Sequence, residues 1–272
     1  METNTFVIII VSVVALYAVI KFLHFWLKPT GGNEGWIAET KPSRIWFRVT
    51  ADVCRWFHTI YNRMDINNYE YLPKGQQFVT VANHASILDG FMMGGLVRQP
   101  LYIMVKKEAF ERPIEGYFLR KVHCFPVDRS KVDATAIKTA MKAINEGHSL
   151  ALFPEGTRNR KGYVSEFHAG AIKFALKKKL PIVPVYIANT HKMTPPGAII
   201  PRPVKISMTL LEPIDTKAEL EAGKTEKDIL DLLYKRITDK GTEIMGYDVR
   251  DPEYLKSLEN KSQPQTSETK SE

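Results

Sequence analysis

Cysteine is scarce in this chain, with only Cys54 and Cys124 among 272 residues. Two thiols are too few for a disulfide framework, and they lack the paired spacing of a metal site. A reduced, cytosolic setting fits that usage. Also missing is an uncharged apolar run of full membrane-spanning length. Phe6 to Ile20 has fifteen residues, where a helical span takes roughly 20; snorkelling by Lys21 extends it to a marginal span. Met1 to Thr5 has no basic residue and no small-x-small site follows the run, which argues against a cleaved signal peptide. Absent as well are a recognition helix, zinc spacing and an aromatic RNA-binding signature, so the net charge of +8 does not point to nucleic acid. An anionic lipid surface or an acidic protein remains as partner.

What is present is enough apolar material for one substantial core, at 44% hydrophobic. Apolar runs alternate with helical patterns, predicting an α/β domain with a mostly parallel central sheet flanked by helices. Strands are expected near Gln77 to Ala82, Leu101 to Val105, His123 to Val127, Ser149 to Phe153, Ile182 to Ile187 and Val204 to Leu210. Helices fall between them, including Ala134 to Asn145 and Ala169 to Lys178, and edge strands are free to run the other way. This domain covers 66–250.

Ahead of it, residues 1–65 read as a two-helix membrane-associating module. Its second helix, Ser43 to Met64, sets Ile45, Trp46, Val49, Val53, Trp56, Phe57, Ile60, Tyr61 and Met64 at helical spacing, interleaved with Arg44, Arg48, Arg55 and Arg63. Aromatic and basic character of that kind suits the membrane interface; the competing reading is a helix packed on the domain's core, and the pattern does not separate the two. Pro29 to Pro42, rich in glycine and proline, connects the helices. Positive charges follow the first helix, which favours a cytoplasmic main domain if that helix spans. Past Arg250 the chain turns polar, so 251–272 is expected to be a disordered tail.

The segment Asn83-His84-Ala85-Ser86-Ile87-Leu88-Asp89 follows the apolar run Phe78 to Ala82. In a continuous helix His84 and Asp89 would point roughly 140° apart and could not meet. With a strand to Ala82, an exit loop and Ser86 as N-cap, Asp89 falls in the first helical turn and reaches back to the imidazole. A carboxylate on one ring nitrogen fixes the tautomer and leaves the other nitrogen to take a proton from a hydroxyl. Ser86-x-x-Asp89 is also a capping box, and the two readings are compatible. The other histidines, among them His123, His148, His168 and His191, have no such partner and read as structural.

Three further segments follow in order: Phe125-Pro126-Val127-Asp128-Arg129, then Phe153-Pro154-Glu155-Gly156-Thr157-Arg158, then Ile182-Val183-Pro184-Val185-Tyr186. Together with the first they resemble the four blocks of the glycerolipid acyltransferase family, in particular its bacterial 1-acyl-glycerol-3-phosphate acyltransferases. The resemblance runs from about Gln77 to about Leu211 and includes a Lys106-Lys107-Glu108 segment. Many members carry glycine just ahead of the second block, where this chain has His123 and Cys124.

The resemblance implies O-acylation of a lysophospholipid, most plainly lysophosphatidic acid at its sn-2 hydroxyl. His84 would be the base and Asp89 its orienting acid. Cations for a phosphate are offered by Arg129 and Arg158, whose planar forks suit its oxygens, and by Lys106 and Lys107. Glu155, Gly156 and Thr157 complete the expected acceptor site, with Glu155 on an arginine or on the glycerol hydroxyls. The donor is an acyl-CoA or acyl carrier protein thioester, and no metal or other cofactor is implied. Alternatives are a glycerol-3-phosphate or other lysophospholipid acyltransferase and, in a different class, a non-catalytic lipid-binding or membrane scaffold protein.

Overall fold

A computed structural model describes Tyr17 and residues 41–262, apart from 97–100, 113–115, 117–118, 121–122, 129–132, 196–197 and 199. Apart from Tyr17, the expected first helix at Phe6 to Ile20 lies outside the described residues, as does the stretch 263–272. Among the described residues no helix is long and apolar enough to cross a membrane.

Seven strands form one sheet in the order β1-β7-β6-β2-β5-β3-β4. They are β1 (Asp65–Asn67), β2 (Val79–Ala82), β3 (Leu101–Lys106), β4 (Cys124–Val127), β5 (Ser149–Leu152), β6 (Ile182–Ala188) and β7 (Ser207–Leu210). The run from β6 to β4 is parallel throughout, while β7 pairs antiparallel with β6 and carries β1 beside it. The chain is therefore α/β and mostly parallel, as expected, with reversal confined to one side.

Central strands are apolar on both faces because both are covered. Along β6, Ile182, Tyr186 and Ala188 enter one core, and Val183, Val185 and Ile187 the other. The first core is closed by α4 (Ala134–Asn145), α5 (Lys173–Lys178) and α8 (Glu226–Met245); the second receives Met92, Met93 and Leu96 from α2 (Asp89–Leu96). Where α8 crosses β6, a Cβ on Gly241 would come within 2.5 Å of the Tyr186 ring, so glycine is what permits the approach. Short helices α3 (Glu108–Glu111), α6 (Thr190–Met193) and α7 (Thr216–Glu221) fill the connections. Asp133 starts α4 by accepting from the Thr135 and Ala136 amides, as an N-cap does.

The amphipathic segment forms α1 (Lys41–Tyr61), packed against α2, so part of it does lie on the domain. Its opposite face leaves Val49, Val53, Trp56 and Ile60 exposed, Trp56 by 66%. One expectation is corrected. The chain past Arg250 is not all tail, because Pro252–Ser262 is helical (α9). Asp251 caps it, accepting from the Glu253 amide at 3.0 Å, with proline at the first helical position.

Candidate active site

Because β2, β5, β3 and β4 are parallel, their carboxyl ends open on one edge of the sheet, where α/β proteins build their sites. Asn83 leaves β2 as a backbone mimic: its Nδ2 donates to the Ile187 carbonyl at 3.0 Å and its Oδ1 accepts from the Ile187 amide at 2.7 Å. That lock to β6 fixes the direction in which His84 departs.

His84 Nδ1 and Asp89 Oδ2 are 2.9 Å apart, and Asp89 is fully buried. The same oxygen accepts from the Ala85 and Ser86 amides, each at 2.7 Å, so the acid holds the turn and the ring together. The helix begins at Asp89 rather than directly after Ser86 as its N-cap. The Ser86 hydroxyl accepts from the Leu88 amide at 3.1 Å and pairs with Thr194 Oγ1 at 2.7 Å, so only the acid's half of the capping box forms. The imidazole stacks on Phe153 with centroids 4.1 Å apart. With a carboxylate on Nδ1 the proton resides there, and Nε2 presents its lone pair.

Glu155 is only 2% exposed and does not face the cleft. Its Oε1 accepts from the His84 amide at 2.7 Å and its Oε2 from the Ser165 amide at 3.0 Å. Burial pushes its carboxyl up to about 8, against the pull of those two amides. The expected contact with glycerol hydroxyls or an arginine gives way to a backbone role, since the carboxylate is buried off the cleft lining and holds two main-chain amides. Gly156 supplies the sharp turn after it, at φ +66°. Thr157 is exposed.

A cleft opens beside His84. Its walls are mostly apolar and come from α1 (Ala51, Cys54), α2 (Phe91, Gly94) and β3 (Ile103, Val105), with Lys106 and Arg158 also on its lining. Desolvation lowers the Arg158 pKa, as expected for a guanidinium drawn partly out of water. Lys107 does not line the cleft; it is exposed and paired with Asp128 at 2.7 Å, which raises its pKa. Arg129 lies outside the described residues. Cys54 and Cys124 both line the cleft, and burial pushes their thiols up to about 11 and about 12. They are small apolar wall residues rather than nucleophiles.

A buried histidine–carboxylate pair beside a mostly apolar cleft that Lys106 and Arg158 also line, on the carboxyl edge of a parallel sheet, is a site of the kind α/β enzymes build. The family model described as acyltransferase matches residues 63–188, which contain His84, Asp89, Lys106, Glu155 and Arg158 but not the α1 wall of the cleft. The chain is 32% identical over 139 residues to the 1-acyl-sn-glycerol-3-phosphate acyltransferase of Bacillus subtilis, covering 51% of this chain and 69% of that protein. It is 36% identical over 141 residues to the protein of the same name from Limnanthes douglasii, covering 51% of this chain and 50% of the plant protein. The chain belongs to the acyltransferase family that holds these relatives, although it spans only about half the length of the plant one. Its fold matches the crystal structure of the 1-acyl-sn-glycerophosphate (LPA) acyltransferase PlsC of Thermotoga maritima, with a TM-score of 0.65 and 22% identity over 85% of this chain and 89% of that one.

Proposed function

We propose that this chain transfers a fatty acyl group from a thioester donor to the sn-2 hydroxyl of lysophosphatidic acid, giving phosphatidic acid. The observation that carries the reading is the His84–Asp89 pair, set at the edge of an apolar cleft that Arg158 and Lys106 also line. Nε2 takes the hydroxyl proton as the oxygen attacks the thioester carbonyl. Asp89 stabilises the imidazolium that forms; collapse of the tetrahedral adduct expels the thiolate, which recovers the proton. The acyl chain occupies the apolar cleft, and Arg158 with Lys106 receives the acceptor phosphate. Arg129, by its place in the second block, is proposed to join them. The exposed stripe of α1, from Val49 to Ile60, would lie in the membrane interface and bring the cleft to its lipid substrate, with the domain on the cytoplasmic side.

The test is thiol release by detergent-purified protein, with acyl-CoA or acyl carrier protein as donor and lysophosphatidic acid, glycerol 3-phosphate or lysophosphatidylcholine as acceptor. Release with lysophosphatidic acid, lost in His84→Ala, is expected. Release with glycerol 3-phosphate alone would move the reaction to the other acceptor, and release by no pair would leave a lipid-binding role.

A further inference from the structure

The segment after α8 runs back beside Val164, in the loop that follows the Phe153–Arg158 turn. Gly246 ends the helix in a left-handed conformation, and Val249 is fully buried. The Val164 amide donates to the Val249 carbonyl at 2.7 Å, and the Asp251 amide to the Val164 carbonyl at 3.0 Å. Pinned in this way, the Asp251 side chain is aimed in two directions. Oδ1 starts α9, while Oδ2 accepts from Asn159 Nδ2 at 2.7 Å and lies 3.5 Å from the Ser165 hydroxyl.

Both of those residues continue to His84. The Asn159 amide donates to the His84 carbonyl at 2.8 Å. The Ser165 amide donates to Glu155, whose other oxygen takes the His84 amide. Each polar main-chain group of His84 is thus held by a residue of the 155–165 loop, and that loop is tied to Asp251 through Asn159 directly and through Ser165 next to Glu155.

We propose that Asp251 is a positioning residue for the base: through Asn159 and Ser165 it fixes the loop that holds the His84 backbone, and so the aim of the imidazole. It touches no reacting atom. The inference rests on the proposed acyl transfer for its kinetic form, but not for its structural form. A carboxylate suits the place because both its oxygens accept, Oδ1 from the Glu253 amide and Oδ2 from Asn159 Nδ2, which also donates to the Ser165 hydroxyl at 2.9 Å.

Asp251→Asn separates this role from helix capping. The amide keeps an oxygen for the Glu253 N–H while setting its NH₂ against the Asn159 NH₂. In the full-length protein we expect kcat to fall about tenfold, as a small displacement of a base does, with KM for lysophosphatidic acid within about twofold of wild type and an unchanged melting temperature. Asn159→Ala should give the same loss, and the double variant no further loss. Glu253→Ala, which cuts only an exposed pair with Lys161 at 3.2 Å, should behave as wild type. A second readout needs no turnover: the ring ¹⁵N signals of His84, assigned with His84→Ala, should move in Asp251→Asn and Asn159→Ala but not in Glu253→Ala. Inactive wild-type protein would overturn the proposed function, and the ring signals would still decide the role of Asp251. Unmoved His84 signals with wild-type kcat, or a lowered melting temperature with kcat intact, would overturn the inference.

Discussion

Asp89 Oδ2 gathers three donors: the Ala85 amide, the Ser86 amide and the His84 ring. Oδ1 is buried with no hydrogen-bond partner among the described residues. Asp89→Asn therefore leaves an oxygen for the two amides but removes the charge that stabilises the imidazolium. We expect kcat to fall by about 10²–10⁴, while stability changes by only about 1–2 kcal/mol. Kinetics alongside urea unfolding measure the two separately, and kcat within threefold of wild type would reject the orienting role. The pair was only half legible from spacing: five positions work across a strand–loop–helix break, but Ser86-x-x-Asp89 reads equally as a capping box, and it is the later blocks that favour the base. The roles of Asn83 and Glu155 were not legible, because each acts on a backbone group of a distant segment and composition carries no trace of such a bond. Lys107 shows the same limit: its neighbour Asp128 is 21 positions away in sequence.

At the scale of elements, the glycines of α2 shape the cleft. A Cβ on Gly95 would lie 3.4 Å from the Ala51 carbonyl, which brings α1 and α2 together, whereas a Cβ on Gly94 meets nothing within 4 Å and faces the cleft. Gly94→Leu should fill space the proposed acyl chain occupies without straining the helix. Displacing about three methylenes costs about 2 kcal/mol, or roughly thirtyfold in relative kcat/KM for long over short acyl donors. Competition between thioesters of different chain length would show it, and an unchanged preference would place the acyl chain elsewhere. The buried strands were readable as apolar runs, and Ala134–Asn145 was read to the residue. Among the elements not foreseen, three show why. β1 is three residues long, α8 mixes charges through its pattern, and α9 depends on a cap whose tertiary partners lie around Val164. Length, mixed polarity and long-range anchoring each hide an element from periodicity.

Across the whole molecule, the sheet separates chemistry from a second histidine group at its opposite edge. Tyr102 packs against His123 and His148, with ring centroids 5.1 and 4.7 Å away, at the starts of β3, β4 and β5. His123 holds the place ahead of the second block where many relatives are expected to carry glycine, and its φ of +60° is the left-handed conformation glycine adopts freely. Burial, with the like charge of His148 second, pushes the His123 ring down to about 4; burial also lowers His148, against the pull of Glu146. Both rings therefore stay neutral in the folded chain at pH values where the unfolded chain protonates them. Stability should be complete well above the unfolded histidine value of about 6.5 and decline as pH falls toward 4. For His123 alone the loss approaches about 2–3 kcal/mol. His123→Asn keeps a residue tolerant of positive φ and removes the titrating ring. Its urea midpoint should fall less than that of wild type between pH 7.5 and 4.5. Because these rings lie at the edge away from His84, the variant should retain the wild-type pH profile of kcat. Parallel unfolding profiles for the two proteins would show that acid acts on this fold through other groups.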